Sequence, residues 1–459
     1  MFSTSTYVAR RQQLKQKVGK GLIVLLGNDD SGMSYKDNVY PFRQDSTFLY
    51  YTGIDKPSLA LLIDIDHNKE ILFGNEATVD DIIWTGPQES LHSFAAKAGI
   101  ETVLPLHKIE PTLHVAQQLH EFVHFLPPYR AEHSIKLFEW LNIHPSQAKD
   151  FASVELIKAI VAARSIKSAE EIAEIEKAVD VTVDMQLANI RFAKAGMTES
   201  EIAAKLHDVV ISSGGNIAFP IILTVNGETL HNHYRPVKVQ GGQMILCDCG
   251  AETAMHYGGD LTRTIPVDKK FTTQQTEVYN IVLAAQQAAI QAANPGVLFK
   301  DVHAIASAKL LEGLSQIGLV KGSVEDAFIN DVHTLFFQCG LGHMLGLDTH
   351  DMENLGEEYV GYSETVKKTM SFGWKSLRLG RELEPGFVVT IEPGLYFIPQ
   401  LIDQWRNGHK CTDFINYDKL ESFKTFGGIR IEDDIVITEN SNRILGKPLP
   451  KELEGLYGL

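Results

Sequence analysis

Two acidic residues interrupt the most strand-like part of this chain and restrict what that part can fold into. Asp248 stands inside the apolar run LCDCG, and Asp260 follows the turn signal Gly258-Gly259. Strands disfavour Asp, and a buried carboxylate without a partner costs free energy. A hairpin here would bring both carboxylates near one point, where they would repel each other unless one held a proton or both bound a cation. A single pair of this kind is more often a solvated hairpin face, so the rest of the chain must decide.

Acidic and histidine side chains recur in three later segments that otherwise look like core. The motif GLGHMLGLDTHD contains His343 and His350, the predicted strand VVTIEPGLYF contains Glu392, and the predicted strand GGIRIEDDIV contains Glu432. Alternation along the last strand places Arg430 on the same side as Glu432. Four carboxylates with one imidazole suit two divalent ions about 3.5–4 Å apart better than a cysteine-based structural zinc. The sequence therefore predicts a dinuclear metal site.

Composition and charge exclude several classes of partner. The chain has 459 residues, 44% of them hydrophobic, and its net charge of −16 argues against nucleic acid or an anionic membrane as the main partner. No stretch approaches the roughly 18 apolar residues that span a bilayer, and the N-terminus has no apolar signal region. The cysteines form no CxxC pair, and Cys247 and Cys249 are expected to face away from Asp248 as buried thiols. We therefore expect a cytoplasmic protein.

The chain divides into two predicted domains, 1–165 and 166–459. Apolar runs between helical stretches indicate an α/β fold for the first domain. A strong helix begins the second domain, because Ser168 and Glu171 form an S-x-x-E capping box, and a similar box with Thr198 begins another helix. Strands of the first domain are predicted at 21–27, 46–54, 59–66 and 69–74, and further helices of the second domain at 272–293 and 300–316.

The order of these motifs resembles a known family. DCG…GGDLTRTIPV, GLGHMLGLDTHD, TIEPGLYF and GGIRIEDDIVI, in that order, are similar to motifs of the pita-bread metallopeptidases, in particular the Xaa-Pro aminopeptidases (aminopeptidase P) and the Xaa-Pro dipeptidases (prolidases). Residues 37–62 are similar to the N-terminal domain that both groups share. The resemblance implies an α/β N-terminal domain followed by an α+β pita-bread catalytic domain. It also implies hydrolysis of the peptide bond between an N-terminal residue and a penultimate proline.

The resemblance assigns metal ligands by position. Asp248 would chelate one metal, Asp260 and Glu432 would bridge both, and His343 and Glu392 would complete the second ion's shell. Glu392 would also act as general base and acid. The expected ions are two Mn²⁺, with Co²⁺, Fe²⁺ or Zn²⁺ as alternatives.

The resemblance also implies residues that contact the substrate. His350 would stabilise the tetrahedral intermediate. His231 falls where the family keeps a second substrate-contacting histidine, although His233 competes for that role. Arg430 would order the site or hold a substrate carboxylate, and Arg381 would meet the carboxyl end of the substrate.

Two departures leave the exact specificity open. The long stretch 395–426 looks more like a prolidase, whereas the N-terminal domain and the His-Asn-His stretch favour an aminopeptidase. Cys339 stands four residues before the metal histidine, where family members often carry another histidine. Because this imidazole is missing, either substrate contacts are weaker at that position or His233 substitutes for it.

Other classes within the same fold are disfavoured. A non-catalytic pita-bread protein that binds peptides would usually have lost the metal ligands, as would a creatinase-like amidinohydrolase. A methionine aminopeptidase would normally lack the N-terminal domain. The family often forms dimers or tetramers, so a homodimer or homotetramer acting on peptides with proline at the second position is expected.

Overall fold

The computed structural model describes residues 1–458 and contains two compact units. The first comprises Met1–Arg164 together with Met352–Tyr359, and the second comprises Ser165–Asp351 together with the described residues from Val360 onward. The predicted functional domains, 1–165 and 166–459, stay predictions. No helix in the described part of the chain is both long and apolar enough to cross a bilayer.

The secondary structure mixes helices and strands in both units. The α-helices are α1 Thr4–Val18, α2 Ser46–Thr52, α3 Val79–Thr85, α4 Leu91–Ala98, α5 Ile109–Gln118, α6 Ala131–Leu141, α7 Val154–Ser165, α8 Ala169–Phe192, α9 Glu199–Ser212, α10 Thr273–Ala292, α11 Phe299–Gln316, α12 Val324–Ile329, α13 Glu357–Val360, α14 Pro399–Asn407, α15 Tyr417–Leu420 and α16 Leu453–Tyr457. The strands are β1 Leu22–Leu26, β2 Gly32–Tyr35, β3 Asn38–Val39, β4 Ala60–Asp64, β5 Lys69–Phe73, β6 Thr102–Leu104, β7 Val123–His124, β8 Asn216–Ile217, β9 Ile222–Val225, β10 Met244–Cys249, β11 Ala251–Glu252, β12 Leu261–Pro266, β13 Val388–Ile391, β14 Gly394–Tyr396, β15 Gly428–Arg430, β16 Asp433–Ile437 and β17 Asn442–Ile444. Short 3₁₀ helices lie at Leu106–Lys108, Pro145–Gln147, Val332–Leu335, Glu353–Leu355, Trp374–Ser376 and Glu421–Phe423.

The first unit is built around a five-stranded mixed sheet in the order β6-β5-β4-β1-β7. β4 pairs antiparallel with β1 and β5, whereas β7 and β6 join the two edges in parallel. Leu22, Val24 and Leu62 from this sheet form a buried core with Leu113 of α5 and Leu137 of α6. Helices covering apolar strands are the arrangement that the sequence predicted for an α/β domain.

One predicted strand of the first unit is wrong. Residues 46–54 contain the aromatic and β-branched residues typical of strands, but Ser46–Thr52 forms helix α2. Asp45 caps the helix by accepting a hydrogen bond from Phe48 N at 2.8 Å, and Gly53 ends it in the left-handed conformation with φ of 66°. Every residue of α2 is buried, so the helix has no polar face. A helix that is buried all round shows no 3.6-residue pattern, and its sequence is easily read as a strand.

The second unit contains the helices and hairpin on which the predicted site depends. α8 and α9 begin at the predicted capping boxes, and the two helices predicted after residue 270 are confirmed as α10 and α11. The strands form the sheets β12-β10-β9 and β13-β16-β17 and the pair β14-β15. Gln186 of α8 donates to Cys247 O at 3.0 Å and to Leu261 O at 2.7 Å. This side chain fastens both arms of the β10–β12 hairpin to the helix.

The predicted hairpin is confirmed, but its turn lies elsewhere. β10 and β12 pair antiparallel, with Asp248 opposite Thr262. The chain reverses over residues 253–257, and the predicted glycine pair lies on the returning arm. Gly259 is needed there for close packing, because a Cβ would come within 2.9 Å of the Val179 backbone in α8. Gly259 therefore marks an approach to a helix rather than a turn.

Candidate metal centre

Asp248 and Asp260 lie on the two arms of the hairpin. Asp248 Oδ2 accepts a hydrogen bond from Arg430 Nη2 at 2.6 Å, and the N–H of Asp260 donates to Asp434 Oδ2 at 2.9 Å. The Oδ1 atoms of Asp248 and Asp260 are buried and have no hydrogen-bond partner among the described residues. Buried polar atoms are almost always satisfied. These two oxygens therefore point to a group that the polypeptide itself does not supply.

His343 reaches the same point from the segment before β13. Its Nδ1 lies 3.0 Å from Met344 O, which assigns the ring hydrogen to Nδ1 and leaves Nε2 as an acceptor. Nε2 lies 3.5 Å from Asp260 Oδ2 and 3.6 Å from Glu392 Oε1. Thr390 N donates to His343 O at 3.0 Å and holds the segment against β13. This tautomer is the one that binds a metal through Nε2.

The sequence predicted Glu392 and Glu432 inside strands, and this prediction is wrong. Glu392 falls between β13 and β14, and Glu432 falls between β15 and β16. Glu432 Oε2 accepts a hydrogen bond from Thr262 Oγ1 at 2.6 Å. Glu392 Oε1 lies 3.5 Å from Thr390 Oγ1. Each carboxylate thus occupies an interruption in strand pairing, which releases it from simple alternation.

The electrostatics of this cluster fit a divalent cation. One ligand atom from each of Asp260, His343 and Glu432 lies within 4.8 Å of the others, and all three residues are buried. Burial and neighbouring carboxylates raise the pKa values of Asp260 and Glu432 well above their usual range. Burial also raises the pKa of Glu392 to about 7, against the opposing charge of Arg430. Several oxygens and one imidazole, with unsatisfied oxygens facing inward, form a donor set suited to Mn²⁺, Fe²⁺, Co²⁺ or Zn²⁺.

Arg430 is buried beside the cluster, and its guanidinium is engaged by the protein itself. Nη2 contacts Asp248, Nη1 donates to Tyr396 Oη at 2.8 Å, and Nε donates to Thr262 Oγ1 at 3.1 Å. Thr262 in turn donates to Glu432. These contacts favour the first of the two predicted roles of Arg430, which is to order the site.

His350 and His231 lie beside the cluster as well. The His350 ring centroid is 4.3 Å from that of His343, with the two rings inclined at 68°. Partial burial lowers the pKa of His231, the charge of Arg430 lowers it further, and the charge of Asp248 opposes both effects. His231 is therefore within electrostatic reach of the site.

His233 occupies a different position. Like His231, it is exposed, and its backbone forms an isolated bridge with Ile222 of β9. The charge of His231 interacts with those of Arg430 and Asp248 in the cluster.

Of the two arginines that precede β13, the sequence predicted a role at the site for Arg381, but the charge of Arg378 is the one that acts there. Arg381 Nη2 pairs with Glu384 Oε1 at 2.5 Å, and its guanidinium lies over the Phe387 ring at 5.0 Å. Arg378 was not singled out from the sequence, yet its charge acts on both Glu392 and His231. In the sequence, Arg378 stands only as a charge between two leucines in LRLG, which is too weak a signal to identify it.

Cys339 lies at the edge of the site as a neutral thiol. Its Sγ is 3.9 Å from Tyr396 Oη. Burial raises the pKa of Cys339 to about 12, with a further contribution from Glu392. A neutral thiol is a weak hydrogen-bond donor and cannot replace a charged imidazole.

Two family models match this chain. Residues 173–439 match the model of metallopeptidase family M24, and residues 7–124 match the model of the aminopeptidase P N-terminal domain. This chain belongs to metallopeptidase family M24. As an M24 protein it has the predicted fold class, an α/β N-terminal domain followed by a pita-bread catalytic domain. Membership also implies dependence on divalent metal ions.

Its relatives include proteins of similar length. A probable Xaa-Pro aminopeptidase of Metarhizium acridum is 31% identical over 424 residues, covering 92% of this M24 chain and 81% of the relative. Another from Sordaria macrospora is 32% identical over 441 residues, covering 95% and 91%.

Solved structures are similar over the whole M24 chain. Zinc-substituted aminopeptidase P of Escherichia coli in complex with product has a TM-score of 0.81 and 27% identity, covering 100% of this chain and 98% of that one. Proline aminopeptidase P II of Yersinia pestis has a TM-score of 0.80 and 28% identity, covering 100% and 99%.

Proposed function

We propose that this M24 protein is an Xaa-Pro aminopeptidase, which hydrolyses the bond between an N-terminal residue and a penultimate proline. The observation that supports it most is the convergence of Asp260, His343 and Glu432 within 4.8 Å in a member of this family. The names of the relatives supply the substrate class.

Five side chains would hold two divalent ions, for which Mn²⁺ is our proposal. When bound, such ions activate water and polarise the scissile carbonyl. The donor set supports the proposal of bound metal ions. In it, Asp248 Oδ1 and Asp260 Oδ1 are buried oxygens with no partner among the described residues. The proposed ligands are Asp248, Asp260, His343, Glu392 and Glu432.

Proton transfer is proposed for Glu392. Its carboxylate would take a proton from the attacking water and deliver it to the proline nitrogen as the peptide C–N bond breaks. Its position supports this role, because Oε1 lies 3.6 Å from His343 Nε2 at the edge of the cluster and the side chain is half-buried. A half-buried carboxylate can reach both solvent and substrate.

Two histidines would stabilise the substrate. His350 would donate a hydrogen bond to the oxygen of the tetrahedral intermediate, and His231 would make a second contact. Arg430 would hold Asp248 in place through its 2.6 Å contact. Arg381 and His233 stay weaker proposals for substrate contact, since the contacts described for them involve Glu384, Phe387 and Ile222.

A prolidase is the second candidate, favoured by the long segment 395–426. A panel of Xaa-Pro dipeptides, Xaa-Pro-Xaa tripeptides and Xaa-Ala-Xaa control tripeptides separates the two. We expect cleavage of the proline tripeptide and no cleavage of the alanine control. Cleavage of the dipeptide alone would identify a prolidase, and no cleavage of any proline peptide would contradict both candidates.

Metal dependence is tested on the same tripeptide. A chelator should abolish hydrolysis, and Mn²⁺ should restore it better than Co²⁺, Fe²⁺ or Zn²⁺. Restoration by Zn²⁺ alone would contradict the manganese proposal without affecting the aminopeptidase proposal. Metal content, measured by elemental analysis, should approach two ions per chain.

The cellular setting is part of the same proposal. All four cysteines are free thiols, which supports a cytoplasmic location. A homodimer or homotetramer is supported by α3, which has no buried residue and exposes Val79, Ile83 and Trp84. Sedimentation of the full chain tests the assembly.

A further inference from the structure

The segment that joins His343 to His350 is folded back on itself. Met344 O accepts hydrogen bonds both from His343 Nδ1 at 3.0 Å and from Asp351 N at 2.9 Å. Asp351 Oδ1 also accepts from Asp348 N at 3.3 Å. We call residues 343–351 the histidine loop. Its two ends share one carbonyl, so the orientation of His343 and the placement of Asp351 are linked.

Asp351 is anchored from outside the loop by Lys167. Lys167 Nζ lies 2.7 Å from Asp351 Oδ2, and each side chain is only 1% exposed. Lys167 is itself fixed, because its N–H donates to Gly386 O at 2.9 Å and the next residue caps α8. Desolvating two charges is costly, so a fully buried ion pair contributes little net stability. Fixed placement of the loop is a better explanation of why the pair is there.

The space around the ion pair is closely fitted. A Cβ at Gly346 would lie 2.6 Å from Asp351 Oδ2 and 3.0 Å from Lys167 Cε, so only glycine lets the loop pass over the pair. Gly346 O also accepts a hydrogen bond from Gly258 N at 2.9 Å. The loop is therefore fastened to the hairpin that carries Asp260.

The start of α8 contacts that hairpin directly. Glu171, in the first turn, accepts a hydrogen bond from Tyr257 Oη at 3.0 Å. Residues 167–171 therefore hold the histidine loop through Lys167 and the hairpin through Glu171. One helix terminus places the two segments relative to each other.

We propose that Lys167 is a positioning residue that acts through Asp351 to hold His350 in its catalytic orientation. The inference rests on the proposed function, in which His350 contacts the substrate. His350 directly precedes Asp351, and its ring packs edge-on against that of His343, with the ring centroids 4.3 Å apart. A shift of Asp351 therefore moves the ring of His350. Lys167 makes no contact with the reacting atoms in this scheme.

The test is a double-mutant cycle with His350→Ala. Lys167→Met and Asp351→Leu are made together, because replacing both members of a buried ion pair is tolerated better than removing one. In the background that retains His350, we expect kcat on an Xaa-Pro-Xaa tripeptide to fall about a hundredfold with KM nearly unchanged. In the His350→Ala background, the same pair of substitutions should lower kcat by less than about threefold, since a positioning residue has nothing left to position.

Three outcomes would overturn the proposal. These are an equal loss of kcat in both backgrounds, an unchanged kcat in the pair variant, or a loss caused by lower metal content. Lys167→Arg keeps the charge and serves if the pair variant does not fold. It should retain kcat within about tenfold of the wild-type value. If Lys167→Arg lowers kcat as much in the His350→Ala background as in the background that retains His350, the proposal is contradicted.

A matched control and a measurement without catalysis complete the design. Lys136→Met and Asp29→Leu, made together, remove another lysine–carboxylate pair, at 2.7 Å in the first unit, and should leave kcat unchanged. Hydrogen–deuterium exchange of residues 344–351 should accelerate in the pair variant and not in this control. If the wild-type protein cleaves no proline peptide, the proposed function fails, and unchanged exchange would separately show that Lys167 does not hold the loop.

Discussion

Glu432 and Asp433 are neighbours in sequence, both are buried, and the protein treats their charges in opposite ways. Asp433 Oδ1 accepts from Arg263 at 2.7 Å, while its Oδ2 accepts from Lys451 at 2.6 Å and from Gln286 at 2.8 Å. The cations of Arg263 and Lys451 hold the pKa of Asp433 below its usual value despite burial. Glu432 instead faces other carboxylates, and burial together with Glu392 raises its pKa.

The difference shows which buried carboxylates belong to the fold and which await a ligand. Asp433 is neutralised by the side chains of Arg263 and Lys451, so its charge needs no added group. Glu432 and Asp260 form a cluster whose negative charge is not balanced locally, and a cation would balance it. Burial alone does not distinguish the two cases, but the charge of the nearest partners does.

The largest expected effect is the loss of catalysis when Asp260 or Glu432, whose charges have no local partner cation, is replaced. Asp260→Asn or Glu432→Gln should lower kcat/KM by about a thousandfold or more and reduce metal content, because the metal supplies several kcal/mol of transition-state stabilisation. Peptide hydrolysis and elemental analysis measure both. The exposed Asp418→Asn is the control and should change neither. Full turnover with normal metal content in either site variant would remove the distinction between the two carboxylates.

The balanced side should respond in stability instead. Asp433→Asn leaves the cations of Arg263 and Lys451 buried without their carboxylate, which should lower the free energy of unfolding by about 3–5 kcal/mol. Urea denaturation of the metal-free protein measures this. The exposed pair of Lys447 and Asp184 offers a control, since Asp184→Asn should cost no more than about 1 kcal/mol. Equal losses would mean that burial of the Asp433 pair has no energetic consequence.

Much of this division could be predicted from the sequence, and the reasons are local. Ser168 and Thr198 begin helices because capping needs only residues within one turn. Asp248 and Asp260 were identifiable because an acid in an apolar strand conflicts with its surroundings. The motif order, through family resemblance, supplied the fold class and the ligand set that we propose.

What could not be predicted depends on contacts between distant segments. The sequence of α2 predicts a strand, and the structure differs because tertiary packing buries all faces of the helix. Glu392 and Glu432 lie in strand breaks that alternation cannot show. Arg378 and the pair of Lys167 with Asp351 have no sequence pattern, since their importance comes from partners far along the chain. The pairing of Asp433 likewise needs Lys451, which belongs to another segment.

A smaller effect of opposite sign sharpens the comparison. Asp260→Asn should raise the free energy of unfolding of the metal-free protein at pH 7, by about 1.4 kcal/mol for each unit by which the fold raises the pKa of Asp260. The folded-state pKa of Asp260 lies above its unfolded value, so the folded state binds more protons and stability falls as pH rises between the two values. Urea denaturation between pH 5 and pH 7 should show a weaker fall in the variant. An unchanged pH dependence would mean that the fold does not raise the pKa of Asp260.

The smallest expected effect comes from buried groups that avoid charge altogether. His303 and His333 are 1% and 2% exposed, and burial lowers their pKa values from 6.5 to about 3 and about 4. Below pH 6.5 the unfolded chain takes up protons that the folded chain does not, so stability falls as pH drops toward 4, by roughly 1.4 kcal/mol per unit for each histidine. His303→Phe should therefore remove about 1 kcal/mol of the stability lost between pH 6 and pH 5, and His333→Phe should do the same. Urea denaturation at the two pH values measures the difference, with the exposed His114→Phe as control. If both variants keep the wild-type pH dependence, these imidazoles are charged inside the fold. The comparison of Glu432 with Asp433 requires that burial excludes an unpaired charge, and that outcome would contradict it.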